Sequence, residues 1–188
     1  MDLPAARRVV ATLVLAMVAA RARADVPLPH RSASEYEVKA GFLLNFARFV
    51  EWPPDTFHGP REPFVIAVLG RDPFGRVLDQ TMAGKTVDGR RIEVRRLSRV
   101  DDVREAQIVF VCPSERENLA SILKALDRPG VLIVGDTDGF ADHGGHINFI
   151  VQAHKVRFEI NPGRAEQSRL KVSSQLLKLA TLVAGPRS

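Results

Sequence analysis

The 188-residue chain contains one cysteine, Cys112, and that scarcity excludes an internal disulfide. Cys112 follows the apolar run Ile108 to Val111, which leaves two roles open for it. It is either a buried thiol acting as a small hydrophobe or an intermolecular, redox-sensing one. No apolar stretch reaches the roughly 20 residues that a bilayer core demands. The run from Val9 to Ala20 falls well short, and no lipoprotein cysteine follows it. Catalytic signatures are missing as well. There is no Gly-x-Ser-x-Gly elbow and no His-Glu-x-x-His pair, and Ser174 and Lys178 stand four apart rather than three. Gly84-Lys85-Thr86 resembles the tail of a phosphate loop, but Asp79 occupies the place of its first glycine. No nucleophile, base and oxyanion set can be assembled from spacing. No catalytic residue, metal ligand or cofactor is therefore assigned.

Arg7 and Arg8, the apolar run and the small-x-small triplet Ala22-Arg23-Ala24 together read as a secretory signal peptide over residues 1–24, cleaved after Ala24. An uncleaved N-terminal anchor is the competing reading. Cleavage removes four basic residues (Arg7, Arg8, Arg21, Arg23) and one acid (Asp2), so the formal charge falls from +5 to +2. Most of the basic excess belongs to the export signal, and the compositional case for nucleic-acid binding disappears with it. The expected product is a periplasmic protein with no further membrane insertion. Its parts are a flexible segment over 25–33, one domain over 34–184 and a tail over 185–188.

After the proline-rich loop from Pro53 to Pro63, short β-rich runs alternate with helical patterns, as in an α/β fold. Phe64 to Leu69, Ile92 to Arg96, Ile108 to Val111 and Val131 to Val134 are the expected strands. Asp72 is expected to cap a helix that Gly84 ends. Ser114 with Glu117 is expected to form a capping box ahead of Leu119, Ile122, Leu123 and Leu126. Ile147 to Gln152 and Lys155 to Asn161 alternate in and out around Ala153-His154, the pattern of an antiparallel hairpin. Ser173 or Ser174 should cap a last helix with Leu176, Leu177, Ala180 and Val183 inward. The expected architecture is a single three-layer α/β domain. Its sheet is mixed and mostly parallel, with a C-terminal β-hairpin, and is flanked by helices.

The first helix is encoded from Ser34 to Phe49. Ser34 and Glu37 have capping-box spacing, and Tyr36, Phe42, Leu43, Phe46, Phe49 and Val50 carry its apolar side. It ends in Phe49-Val50-Glu51-Trp52-Pro53. This ending, the later stretch from Gly130 to Phe149, Val156 to Asn161, and Ser173 to Ala180 resemble, in order, the YfiR-like periplasmic proteins. The resemblance implies a non-enzymatic regulator that represses an inner-membrane diguanylate cyclase by binding its periplasmic domain. Self-association, as a homodimer, is a further expectation. Members of that family often carry paired cysteines that staple the fold, which the lone Cys112 cannot do. A periplasmic small-molecule sensor module without a cyclase partner is the alternative reading, and an enzyme of unknown type a third.

Six residues are the expected partner- or ligand-binding set: Glu51, Trp52, Asp136, Asp138, Phe140 and Arg164. Trp52 and Phe140 are large apolar groups beside turns, suited to anchor an interface. Packing against the sheet is the other role open to Trp52. Asp136 and Asp138 leave the carboxyl end of a strand, where open α/β sheets place ligands. They do not make a calcium loop, because Phe140 and Ile147 stand at later ligand positions. A plain turn, with Asp138 capping a short helix over 140–142, is the simpler expectation. His143 and His146 are expected to be solvated loop histidines, with Gly144 and Gly145 supplying a positive-φ turn.

Overall fold

Phe64–Leu69, the strand labelled β2, is buried at every position, and the sheet is built outward from it. The computed structural model describes residues 31–184. The expected signal peptide, most of the 25–33 segment and the 185–188 tail lie outside the described residues. Strand β4 (Arg90–Leu97) runs parallel to β2 on one side, and β5 (Ile108–Val111) runs parallel to it on the other. Strands β6 (Leu132–Gly135) and β7 (Ile147–Gln152) extend the parallel series beyond β5. Strand β8 (Lys155–Ile160) folds back antiparallel on β7, and the two-residue strands β3 (Thr86–Val87) and β10 (Thr181–Leu182) form the outer edges. The order is β10-β8-β7-β6-β5-β2-β4-β3, a mixed and mostly parallel sheet with a C-terminal hairpin. A second ladder of two short strands pairs β1 (Val50–Glu51) with β9 (Lys171–Val172).

Alternation along each strand feeds two cores. Phe64, Ile66, Val68, Ile108, Phe110, Leu132, Val134, Ile147 and Phe149 meet Ala40, Leu43, Phe46 and Ala47 of helix α1 (Arg31–Phe49), together with Leu78 and Met82 of helix α2 (Arg76–Met82). Val65, Ala67, Leu69, Val109, Val111 and Ile133 face the other way, onto Leu119, Ile122, Leu123 and Leu126 of helix α3 (Leu119–Leu126). Both faces of the central strands are apolar because both are covered, which makes this a three-layer α/β domain.

Several local expectations give way to tertiary contacts. Helix α1 already runs from Arg31, so Ser34 lies inside it rather than at its cap. Asp72 accepts from the Phe74 amide at 2.7 Å, a turn two residues long, while helix α2 begins only at Arg76. Ser114 caps no helix. Its hydroxyl accepts the Arg71 amide at 2.9 Å, and a 3-10 turn over Pro113–Asn118 precedes α3. Ser173 does cap the last helix, accepting from the Leu176 amide, yet that helix spans only Ser174–Leu177. The chain then extends into β10, where Thr181 and Leu182 pair with Glu159 and Ile160. The hairpin has the expected register, Phe149 opposite Phe158. Its two-residue turn places Ala153 and His154 at φ 49° and 61° without a glycine.

Candidate functional site

Helix α1 lies over the sheet so that its first turns reach the carboxyl ends of the strands. The parallel strands β4-β2-β5-β6 are arranged so that the chain winds one way from β2 and then the other, and ligands of such sheets bind at the carboxyl-end crevice of that switch point. Here the ends are closed over. Beside β2, a side chain on Gly70 would meet Ser114 Oγ at 2.6 Å. Tyr36 packs edge-on to Phe74 at 5.1 Å, and Phe74 edge-on to Phe110 at 4.8 Å.

At the end of β6 the closure is ionic. Asp136 Oδ2 accepts from the Tyr36 hydroxyl and from Lys39 Nζ, each at 2.8 Å, and Lys39 also pairs with Glu35 at 2.6 Å. The Lys39 and Asp136 side chains are only 4% and 3% exposed. Lys39 Nζ also lies 4.4 Å from the Tyr36 ring centroid, a cation over an aromatic face. Burial, and then the Asp136 charge, push the Tyr36 phenol far above its ordinary range, so it stays protonated and donates. The Asp136 carboxylate is thus held by the protein's own ammonium. Its second oxygen, Oδ1, is buried and without a partner among the described residues.

Phe140, expected on the surface, is fully buried. Its ring is clasped between Gly135 and Gly145, where any added side-chain carbon would collide with it. Gly145 is therefore there for close approach, while Gly144, at φ 107°, supplies the turn. Asp138 is exposed in a separate, earlier turn, whose closing bond runs from the Phe140 amide to the Thr137 carbonyl at 3.0 Å.

His143 is an exposed loop residue, its Nδ1 donating to the Gly139 carbonyl at 2.6 Å. His146 is not solvated: it is fully buried, and its Nδ1 accepts the Ile133 amide at 2.8 Å. That bond assigns the proton to Nε2, which donates to Ser168 Oγ at 2.9 Å. Burial, then the nearby Arg164 charge, push the His146 pKa down to about 4. Among the described residues no group of three His, Cys, Asp or Glu side chains could hold a metal ion. Cys112 is buried, and burial together with the charges of Asp72 and Asp136 pushes its thiol up to about 12.

The other expected residues, Glu51, Trp52 and Arg164, lie toward the amino ends of the strands, away from Asp136 and Asp138. Arg164 donates to the Gly144 carbonyl at 3.3 Å and to Asp127 at 3.0 Å, so it braces the turn at Gly144. Its helix, α4 (Pro162–Gln167), is capped by Asn161 and leads into β9, which pairs with β1. Trp52, just beyond β1, packs edge-on to Phe64 at 4.9 Å, with its Nε1 buried and unpartnered among the described residues. Glu51 and Trp52 line a cleft of about 400 Å³ with Glu166 and Arg169. Tyr36 and Lys39 are the partners of Asp136 that reading the sequence missed. The available signal was a lysine on the inward stripe, between Tyr36 and Leu43, four residues after Glu35.

These observations define a doubly wound α/β domain whose carboxyl-end crevice is sealed by its own first helix. The chain belongs to the YfiR/HmsC-like family, whose model matches residues 36–181, most of the chain. No curated protein matches it. Among solved structures it is similar to the ABC domain in complex with L-Trp from Streptococcus pneumonia, at 10% identity and a TM-score of 0.47. That match covers 64% of this chain and 55% of the other, little more than half its length, and carries no functional argument. Among the described residues no helix is long and apolar enough to cross a membrane.

Proposed function

We propose that the protein is a non-enzymatic periplasmic regulator that represses an inner-membrane diguanylate cyclase by binding its periplasmic domain and holding it in a low-activity geometry. Membership of the YfiR/HmsC-like family across residues 36–181 carries this reading. The sealed carboxyl-end crevice supports it, because the place where an α/β sheet would hold a substrate is filled by Tyr36, Lys39 and Asp136. The surface assigned to the partner is that around Glu51, Trp52 and Arg164, toward the amino ends of the strands; Asp138 lies at the carboxyl end, where Asp136 and Phe140 hold its loop. Self-association accompanies this function. A releasing signal acts by favouring one state of the regulator over the other, since equal affinity for both shifts nothing.

The test is deletion of the gene with measurement of intracellular cyclic-di-GMP and biofilm under several envelope conditions, paired with crosslinking capture on the tagged mature protein. Repression predicts a rise in both outputs and recovery of a membrane diguanylate cyclase. Unchanged outputs under every condition would refute it. A Glu51→Lys variant of unaltered melting temperature that captures the cyclase as well as wild type would remove Glu51 from that surface.

A further inference from the structure

The end of the sheet opposite the sealed crevice is open. A cleft of about 350 Å³ lies at the amino ends of β2, β5 and β6, where Val65, Gln107 and Val131 enter the strands. That volume is at the lower end of the range for small-molecule sites. Its wall holds a guanidinium that the fold leaves uncompensated. Arg128 is partly buried, yet its one hydrogen bond runs from Nη2 to the neutral Val103 carbonyl at 2.9 Å. Its Nε is buried with no partner, and no carboxylate pairs with it among the described residues. A guanidinium withdrawn from water without an anion is costly, and five N–H donors in a fixed fork suit a planar oxyanion.

Neighbouring groups point the same way. The Thr56 hydroxyl lines the same cleft, buried and unpartnered among the described residues. It is held against Gly130, where a side-chain carbon would meet it at 2.7 Å and where φ is +76°. Arg104 lines the cleft, is exposed and has no ion pair among the described residues. Of the acids of the lining, Asp55 pairs with Arg169 at 2.8 Å and Glu62 accepts the His58 amide at 2.7 Å, while Glu105 is exposed and has no ion pair among the described residues. Gln107 is spent on the Val65 amide and the Glu105 carbonyl.

We propose that this cleft binds a small molecule through an oxyanion, a carboxylate or phosphate group, received by Arg128 and Arg104 with the Thr56 hydroxyl as a further donor. The site is independent of the cyclase-binding reading and stands or falls without it. The test is nuclear magnetic resonance on the ¹⁵N-labelled mature protein, titrated at constant ionic strength with inorganic phosphate in one arm and succinate in the other. Backbone amides of Thr56, Gly130 and Val131, together with the Arg128 Nε–H signal assigned through Arg128→Lys, report on the cleft. Saturable shifts confined to these signals are expected in at least one arm, and the arm that saturates at lower concentration identifies the group as phosphate or carboxylate. Arg104→Gln, at an exposed position, should weaken that response about ten-fold. The proposal is overturned if neither probe shifts these signals saturably. It is equally overturned if exposed arginines such as Arg91 and Arg99 respond in parallel, or if Arg104→Gln leaves the response unchanged.

Discussion

Lys39 and Asp136 join helix α1 to the end of β6 across 97 residues of chain, and the unequal surroundings of the two charges make their loss unequal. In Lys39→Met, a carboxylate that is 3% exposed keeps only the Tyr36 hydroxyl, and its Oδ1 is already without a partner. Removing one member of a buried pair typically costs about 3–5 kcal/mol. In Asp136→Asn the amide oxygen can still accept from Tyr36, and Lys39 retains Glu35 at 2.6 Å, whose side chain is 32% exposed and can share the charge with water. That loss resembles a weakened charge-assisted hydrogen bond, about 1.5–3 kcal/mol. Lys39→Met should therefore be the more damaging of the two. For a domain of this size its loss corresponds to a fall in melting temperature of roughly 10 °C. Urea unfolding followed by circular dichroism measures both variants. Lys39→Met costing less than about 1 kcal/mol, or less than Asp136→Asn, would refute the reasoning, because an isolated surface pair contributes only that much.

Three further outcomes follow from the buried groups and the hairpin. His146 should titrate near pH 4 in the folded protein, seen in its ring proton shifts, and its tautomer should carry hydrogen on Nε2. Its folded pKa lies below the unfolded value, so the unfolded chain takes up the proton first. The His146 contribution is whole above about pH 6.5 and is lost as pH falls toward 4, up to about 3 kcal/mol in all. Cys112, with its thiol pushed up to about 12, should resist iodoacetamide at pH 8 in the native protein and react readily in urea, as mass spectrometry would record. Ala153→Gly should relieve the positive φ of 49° and raise stability by about 1 kcal/mol, a melting shift of roughly 2–4 °C by calorimetry.

The hairpin was legible because strict alternation over Ile147 to Gln152 and Lys155 to Ile160 permits only a register that keeps Phe149 and Phe158 on the core face. The inward stripe of α1 was legible by the same reasoning at helical period: Leu43 and Phe46 are buried as the spacing requires. The capping signals were less faithful. Ser114 has the spacing of a cap, but the Arg71 amide, 43 residues away, claims its hydroxyl. A hydrogen-bonding side chain near a helix start has several backbone donors within reach, and only the folded arrangement decides among them. The candidate site was less legible still. Asp136 was recognised for its place after a strand, yet its partners Tyr36 and Lys39 come from the other end of the chain. Phe140, beside a turn rich in glycine and aspartate, reads locally as exposed, and it is buried because Gly135 and Gly145 leave room for its ring.

By itself the sequence determined the alternation of strands and helices, the two-sided burial of the central strands and the family to which the chain belongs. Each of those is carried by periodicity or by short strings of neighbouring residues, which local geometry and the hydrophobic effect read directly. Only the tertiary structure decided that α1 seals the carboxyl-end crevice with a buried lysine and aspartate, that His146 is a neutral core group, and that an uncompensated arginine faces an open cleft at the opposite end. Those are meetings of charges and donors distant in sequence. Their protonation and reactivity depend on burial and on partners that no local pattern encodes.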